Sequence, residues 1–366
     1  MRLEINKEKL LPVLVALNGI IDKKQGLPIL SNVLVCAKDN DVVFSATDME
    51  VERNISVRIE IATSGSTAIP ARKMLDICRA LPDHSHVEIR IQGNKALVSS
   101  GKSKFTLAVI PGEQFPTLGT MVGDVEFKVS AFGLVELFKR TQFAMAYQDV
   151  RYYLNGLLVE FDKRVIRAIA TDGHRLAVSE LERGDGEEVK RQLIIPRKAV
   201  LEITKMLLGS NDELVVSVNN NYIKISRDKE QFASKLIDGR FPDYEKVIPK
   251  KHQATVLAKR LALRDGLSRA SILSNEKFKG VRLNINKEGM RATAHNAEQE
   301  EAEELIEVNY EGAPLEIGFN VSYLIEALGV LEDEEVEMEL TDSNSSCLIK
   351  GKGNNDNKYV VMPMRL

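Results

Sequence analysis

The chain has 366 residues, a formal net charge of −3, and 44% hydrophobic against 28% charged residues, a balance that fits a globular protein and excludes a disordered one. No apolar run approaches the ~20 residues of a membrane span, and the N-terminus MRLEINKEK has charge without an apolar signal core, so a cytoplasmic protein is expected. Cys36, Cys78 and Cys347 sit singly in apolar stretches and read as core residues, while a charge near zero means any nucleic-acid signal must be local.

In chain order, Glu8–Asn18 carries Leu10, Leu11, Leu14 and Leu17, the stripe of an amphipathic helix. Strand-like runs follow at Ile29–Ala37, Val42–Ala46 and Val51–Ile61, divided by turn residues such as Asp39-Asn40-Asp41. Pro70 stands where a helix to Leu81 would start, with Met74, Ile77, Cys78 and Leu81 as its buried face. Strands at Val87–Gln92, Ala96–Ser100 and Ser103–Ile110 complete the first third. The second third repeats the order: strand Val125–Val129, helix Ala131–Met145, strands to Leu181, helix Arg197–Leu208, strands to Leu236. The last third places helices at Leu257–Ile272 and Val321–Val330.

That recurrence is written in the residues. FSATDMEVERNI, AIATDGHRLAV and MRATAHNAEQEEAEEL put a threonine at 47, 171 and 293, steps of 124 and 122. IPARK, IPRKA and IGFNV begin at Ile69, Ile195 and Ile317, steps of 126 and 122. A third of the length is 122, which is a domain rather than a solenoid unit. Three similar α+β domains are therefore expected, at 1–123, 124–250 and 251–366. Each should have two helices and roughly eight strands, with the helices on one side of antiparallel sheets.

Basic residues recur on the helices: Arg72, Lys73 and Arg79; Lys139 and Arg140; Lys198 and Lys205; Lys259, Arg260, Arg264 and Arg269. The helix Val321–Val330 departs from this, carrying Glu326 and no cation. Single helices of this kind read as solvated faces. Recurrence points instead to a shared basic surface with the acids elsewhere, attracting phosphates without reading bases.

Other motifs are weaker. Ser100-Gly101-Lys102-Ser103 resembles the end of a phosphate loop but has Ala96 where a glycine is needed. His84 and His86 form H-x-H with no third ligand near in sequence, so no metal is expected. Asp172 and His174 in TDGHR allow a hydrolytic acid–base pair as an alternative. The other repeats lack the pair, so a turn shaped by Asp172-Gly173 is the simpler reading.

Glu298–Glu304 holds five glutamates in seven residues, and Gly101–Leu107 holds Lys102 and Lys104. A head-to-tail contact between two copies would pair Lys102 and Lys104 with Glu298, Glu300, Glu301, Glu303 and Glu304, around an apolar centre of Ile272 and Leu273 against Phe105 and Leu107.

DVRYYLNG (Asp149–Gly156), ATDGHRLAV (Ala170–Val178), DGRFPDY (Asp238–Tyr244), LSNEKF (Leu273–Phe278), EQEEAEE, IGFNVSY (Ile317–Tyr323) and YVVMPMRL (Tyr359–Leu366) together resemble the beta subunit of bacterial DNA polymerase III, the sliding clamp, over the whole chain. The resemblance implies a homodimeric ring of six similar domains around duplex DNA that tethers the polymerase and has neither catalysis nor cofactor. It implies DNA contacts at Lys24, Arg72, Arg79, Gln148, Tyr152, Tyr153, Lys198 and Arg269. It also implies one groove per chain for short peptides of polymerases, the clamp loader and repair proteins. The matching groove positions are Arg151, Leu154, Thr171, Gly173, His174, Arg175, Leu176, Pro242, Val247, Phe278, Asn320, Tyr323, Ser346, Val360, Met362, Pro363, Met364 and Arg365. Relatives often have Arg at Lys246 and an apolar residue at Asn344, which bears on the groove's preference. A conventional DNA-binding protein held by charge alone is the remaining alternative.

Overall fold

A computed structural model describes residues 1–21, 26–119, 121–162, 164–182 and 191–365. In chain order the first repeat has β1 (Arg2–Asn6), α1 (Lys7–Asn18), β2 (Asn32–Lys38), β3 (Asp41–Thr47), β4 (Val51–Arg58), β5 (Ile61–Thr63), β6 (Gly65–Pro70), α2 (Ala71–Ala80), β7 (His86–Gln92), β8 (Lys95–Ser100), β9 (Ser103–Ala108) and β10 (Ile110–Pro111). The second has β11 (Val125–Ser130), α3 (Ala131–Lys139), β12 (Gly156–Phe161), β13 (Val165–Thr171), β14 (Arg175–Glu182), β15 (Arg191–Pro196), α4 (Arg197–Leu207), β16 (Glu213–Val218), β17 (Tyr222–Arg227) and β18 (Glu230–Lys235). The third has β19 (Ala254–Lys259), α5 (Arg260–Ala270), β20 (Gly280–Asn286), β21 (Gly289–His295), β22 (Glu301–Ile306), β23 (Asn309–Tyr310), β24 (Leu315–Asn320), α6 (Val321–Val330), β25 (Glu335–Leu340), β26 (Cys347–Gly351) and β27 (Asn357–Val361).

The chain divides into two compact units. The first, Met1–Phe132 with Leu201–Leu236, holds a five-stranded sheet β5-β1-β7-β8-β9 and a nine-stranded sheet β10-β6-β2-β3-β4-β18-β17-β16-β11. The second, Gly133–Val200 with Ile237–Leu366, holds a nine-stranded sheet β15-β12-β13-β14-β27-β26-β25-β19-β23 and a four-stranded sheet β22-β21-β20-β24. Every pairing is antiparallel. Each nine-stranded sheet is made of two repeats joined edge to edge. At one seam β4 pairs with β18, placing Arg53 opposite Phe232. At the other β14 pairs with β27, placing Ala177 opposite Tyr359. A buried Arg53–Glu230 ion pair, 2.5 Å, locks the first seam. A buried Ser179–Asn357 hydrogen bond, 2.6 Å, does so at the second.

Helix α1 packs on α2 and touches β1 of one sheet and β3 and β4 of the other. Helix α1 thus serves both sheets of its unit, in keeping with the expected packing of helices on antiparallel sheets. Leu10, Val13, Leu14 and Leu17 of α1 are buried, and so are Met74, Leu75 and Cys78 of α2. Cores of this kind gain roughly 25 cal/mol for each Å² of apolar surface removed from water.

Several boundaries differ from expectation, each for a visible reason. The run Val51–Ile61 divides because β4 belongs to the nine-stranded sheet while β5 pairs with β1 of the five-stranded one. Ser103–Ile110 divides likewise into β9 and β10. The helix expected over Ala131–Met145 ends at Lys139, where the Thr141 hydroxyl donates to the Leu137 carbonyl at 2.8 Å; a 3-10 turn at Gln142–Ala144 follows. The helix expected from Leu257 starts at Arg260, because Leu257 to Lys259 pair with β25, with Val256 and Ala258 facing inward at period two.

Candidate functional site

The second unit holds an apolar slot of about 200 Å³. It is lined by Arg151, Leu154, Thr171, Gly173, Arg175, Leu176, Pro242, Tyr244, Val247, Val360 and Met362. Ten of these are expected groove positions, drawn from a 3-10 turn at Tyr152–Leu154, the β13–β14 turn, the loop after Ile237 and the end of β27. Under the slot lies a buried cluster of Leu158, Ile169, Leu176, Val178, Ile194, Leu348 and Val360, with Tyr153, Ile237, Phe241, Tyr244 and Ile248 packed on it. The floor is therefore rigid sheet core.

The wall is the TDGHR turn. Asp172 Oδ1 accepts from the backbone N–H of His174 at 2.9 Å and of Arg175 at 3.1 Å, and its Oδ2 accepts from Arg175 Nε at 3.1 Å. The Thr171 hydroxyl donates to the Arg175 carbonyl at 2.5 Å and accepts from Gly173 N–H at 3.1 Å. Gly173 has φ +88°, and a Cβ there would stand 2.9 Å from Arg151 Nη1. Both oxygens of Asp172 are thus engaged within the turn, as expected of a turn-shaping aspartate. The first repeat builds the same turn from Thr47, Asp48, Met49 and Val51, with Met49 at φ +76°. In the third, Asn296 caps a longer turn through Glu298 and Glu300.

Arg151 forms the rim. It donates to Asp149 from Nε at 3.0 Å and Nη2 at 2.8 Å, and to the Asp172 carbonyl at 3.1 Å. The guanidinium holds the Asp149 carboxyl down at about 2. Tyr244 was missed by the sequence reading, although DGRFPDY contains it. Its hydroxyl donates to Glu160 at 2.9 Å, and burial together with that carboxylate pushes its pKa up, so the ring lines the slot as a neutral group.

Eight expected groove residues do not line this slot. His174 is exposed, and its carbonyl accepts from Met362 N–H at 2.9 Å. Tyr323 lies half-buried under the Arg175 guanidinium, 4.5 Å from ring centre to carbon. Asn320 caps α6 through Ser322 N–H. Met364 N–H donates to the Gly318 carbonyl at 2.9 Å, so the tail with Pro363 and Arg365 runs beside β24. Ser346 is half-buried just before β26, and Phe278 is 57% exposed on the turn after α5. Of the two departures, Lys246 pairs with Asp243 at 2.8 Å, and Asn344 donates its N–H to Asp342.

The expected DNA contacts fare unevenly. Lys24 lies outside the described residues. Arg72 and Arg79 are exposed on α2 and Lys198 is half-buried on α4. Gln148 and Tyr152 are exposed, and Tyr153 turns its edge to Tyr152 at 5.8 Å while packing on the core under the slot. Arg269 is committed elsewhere, donating from Nε and Nη2 to Glu304 at 2.8 and 3.0 Å. The expectation that acids lie away from the basic faces is corrected: Arg72 pairs with Asp76, Lys139 with Glu136, Lys205 with Glu202 and Arg264 with Asp265. The first three pairs are neighbours one helical turn apart on one face, whereas Arg264 and Asp265 are adjacent in sequence; an exposed pair such as Arg72–Asp76 contributes only tenths of a kcal/mol.

The expected contact residues lie on two sheet edges. Strand β9 ends the five-stranded sheet, with Lys102 and Lys104 exposed and Phe105 half-buried. Leu107 is 8% exposed and already belongs to the core, so it cannot supply free apolar surface as expected. Strand β22 ends the four-stranded sheet, with Glu298, Glu300, Glu301 and Glu303 exposed, Glu304 and Leu273 half-buried, and Ile272 76% exposed. Leu305, unremarked in the sequence, is 71% exposed on the outward face of β22.

The phosphate-loop look-alike is the β8–β9 hairpin, with Gly101 at φ +55°. Among the described residues no group of three His, Cys, Asp or Glu side chains is placed to hold a metal, and no disulfide joins Cys36, Cys78 and Cys347.

Three family models match: the N-terminal domain of the DNA polymerase III beta subunit at residues 1–119, its central domain at 128–243 and its C-terminal domain at 245–365. A beta sliding clamp of Pseudomonas putida is 44% identical over 367 residues, covering all of both chains. A crystal structure of the sliding clamp from Pseudomonas aeruginosa bound to griselimycin has a TM-score of 0.95 at 44% identity, covering all of both chains. One from Bartonella birtlesii, also bound to griselimycin, has 0.96 at 32%, again over all of both.

Proposed function

The chain belongs to the DNA polymerase III beta subunit family, the sliding clamps, and from that premise we propose that two copies close end to end into a ring of six domains around duplex DNA. It is a DNA sliding clamp, a non-catalytic processivity factor, and its relatives are named as clamps and not as enzymes. The domain boundaries we assign are 1–123, 124–250 and 251–366.

One observation carries the ring. At both internal seams a strand following the repeated threonine turn, β4 or β14, pairs with the last hairpin strand of the next repeat, β18 or β27. The third strand of the first kind is β22 and the remaining strand of the second kind is β9. Both end their sheets unpaired. Joining β9 to a partner's β22 would add four strands to five and make a third nine-stranded sheet like the two inside the chain. Phe105 stands in β9 where Phe232 and Tyr359 stand at the existing seams. Exposed edges otherwise invite uncontrolled pairing, and closure removes them. Lys102 and Lys104 on one edge and the glutamates on the other supply opposite charge, with Ile272, Leu273 and Leu305 as apolar centre.

A ring holds DNA by topology, so weak, sequence-independent attraction suffices, and helices whose cations are partly neutralised by Asp76, Glu136, Glu202 and Asp265 suit sliding better than tight phosphate contacts would. We assign that attraction to Arg72, Arg79, Lys198, Gln148, Tyr152 and Tyr153, with Lys24, and place the clamp in the cytoplasm. No helix among the described residues is long and apolar enough to cross a membrane.

The slot is assigned as the tether for short peptides of the polymerase, the clamp loader and other clamp-binding proteins, and as the place where griselimycin binds here. Its apolar lining with a few polar groups at the rim fits such a peptide anchor, and flexible Met362 lets different side chains fit.

The deciding experiment loads the protein onto nicked circular plasmid with a bacterial clamp loader and ATP, isolates the complex and cuts the plasmid once. Release on cutting is expected. Retention on the linear product would overturn the ring and leave a conventional DNA-binding protein held by charge.

A further inference from the structure

Helix α6 carries one charged side chain, Glu326, on a helix whose Val321, Leu324, Ala327 and Leu328 are buried. It was the one helix to break the basic pattern, and the ring gives that acid no role. In the structure its carboxylate accepts from Nη1 of Arg175, a slot-lining residue at the start of β14. The Arg175 side chain is 11% exposed. Its Nε goes to Asp172 at 3.1 Å and its Nη2 to the Phe143 carbonyl at 2.6 Å. The ring of Phe143 lies 5.2 Å from the guanidinium carbon and that of Tyr323 4.5 Å. A planar fork is thus held in three directions, by the slot's own turn, by the 3-10 turn after α3, and by α6. Asp172 already balances the charge. What Glu326 adds is direction, because it sits on a different element and fixes the third nitrogen.

We propose, resting on the peptide-slot reading above, that Glu326 is a positioning residue for the slot. By clamping Arg175 it fixes the wall of Thr171, Gly173, Arg175 and Leu176, and so sets the affinity for whatever occupies it. Arg175 is correspondingly a strut: each of its three guanidinium nitrogens already donates to a protein acceptor, so its alkyl stem and its backbone are what it mainly lends the slot. A nearly buried charged donor that loses its acceptor relaxes toward another one, and the turn whose N–H groups share Asp172 relaxes with it.

The test compares wild type, Glu326→Ala and Glu326→Gln as full-length protein in two measurements, with melting temperature as control. Hydrogen exchange of the His174 and Arg175 amides, which donate to Asp172, reads the wall directly; calorimetric titration with griselimycin reads the consequence. Loss of one charge-assisted hydrogen bond corresponds to about 10-fold in either reading, so Glu326→Ala should exchange and dissociate about 10-fold more readily. Glu326→Gln keeps an acceptor oxygen and should stay within about 2-fold of wild type. Wild-type behaviour of Glu326→Ala would overturn the proposal. So would equal weakening of both variants in step with an equal fall in melting temperature, which marks general destabilisation. If wild type fails to bind griselimycin, the slot reading fails, and the exchange rates alone still decide whether Glu326 holds the wall.

Discussion

At the residue scale, the slot depends on side chains whose chemistry is set by partners far away in sequence. Met362 lines the slot while its N–H is fixed to the His174 carbonyl, so its truncation removes an anchor without freeing the strand. Met362→Ala is expected to weaken griselimycin binding by about 1–3 kcal/mol in a calorimetric titration; unaltered curves would remove it from the slot. Asp149 carries the pH prediction. Its carboxyl is depressed to about 2 from an ordinary 3.8, chiefly by the hydrogen bond from Arg151. A depressed acid stabilises the fold above its unfolded value and loses that contribution as pH falls through the folded one. The rim pair should therefore persist to about pH 3 and fail near pH 2. The Asp149 carboxyl carbon shift, followed by NMR, should titrate there in wild type and move back toward 3.8 in Arg151→Ala.

At the element scale, the threonine turn matters more than either strand it joins. Gly173 occupies a left-handed conformation that any larger residue adopts at a cost, and Arg151 stands where the new Cβ would go. Gly173→Ala should lower stability by roughly 1–3 kcal/mol in urea unfolding and widen the slot. The equivalent Met49 already bears that conformation in the first repeat, so Met49→Ala should cost far less, and equal losses would show that the strain is not what the glycine relieves. The turn of the second repeat was legible, since Asp172 followed by Gly173 is a local signal, whereas Met49 gives no such sign in the first. Helix ends were legible only to within two turns, α3 ending at Lys139 where Met145 was expected. Thr141 ends α3 through a hydroxyl-to-carbonyl bond that no apolar periodicity records, and Leu257 reads equally as helix or strand until β25 is beside it.

At the scale of the whole molecule, the edges of β9 and β22, which end their sheets among the described residues, are where the proposed ring closes. Ile272→Ala combined with Leu273→Ala removes apolar surface from the proposed joint and should give monomers by light scattering; an unchanged dimer mass would defeat the joint as drawn. Leu305→Asp, on the outward face of β22, should act in the same direction without touching the core. High salt should weaken the charged rim of the joint while leaving its apolar centre, so dissociation by salt alone should be partial.

The sequence by itself determined the threefold repeat, the six helices and the antiparallel α+β class, because periodicity and turn chemistry are carried by residues near one another in the chain; the slot residues, spread from Arg151 to Met362, were named only by the family resemblance. Tertiary structure alone decided which charges are spent and which edges are left over. Arg269 and Glu304 lie 35 residues apart and Arg175 and Glu326 lie 151 apart, so no spacing rule could pair them. Leu107 is core and Leu305 is surface for the same reason: alternation along a strand gives two faces, and only the packing of the sheet says which of them meets water.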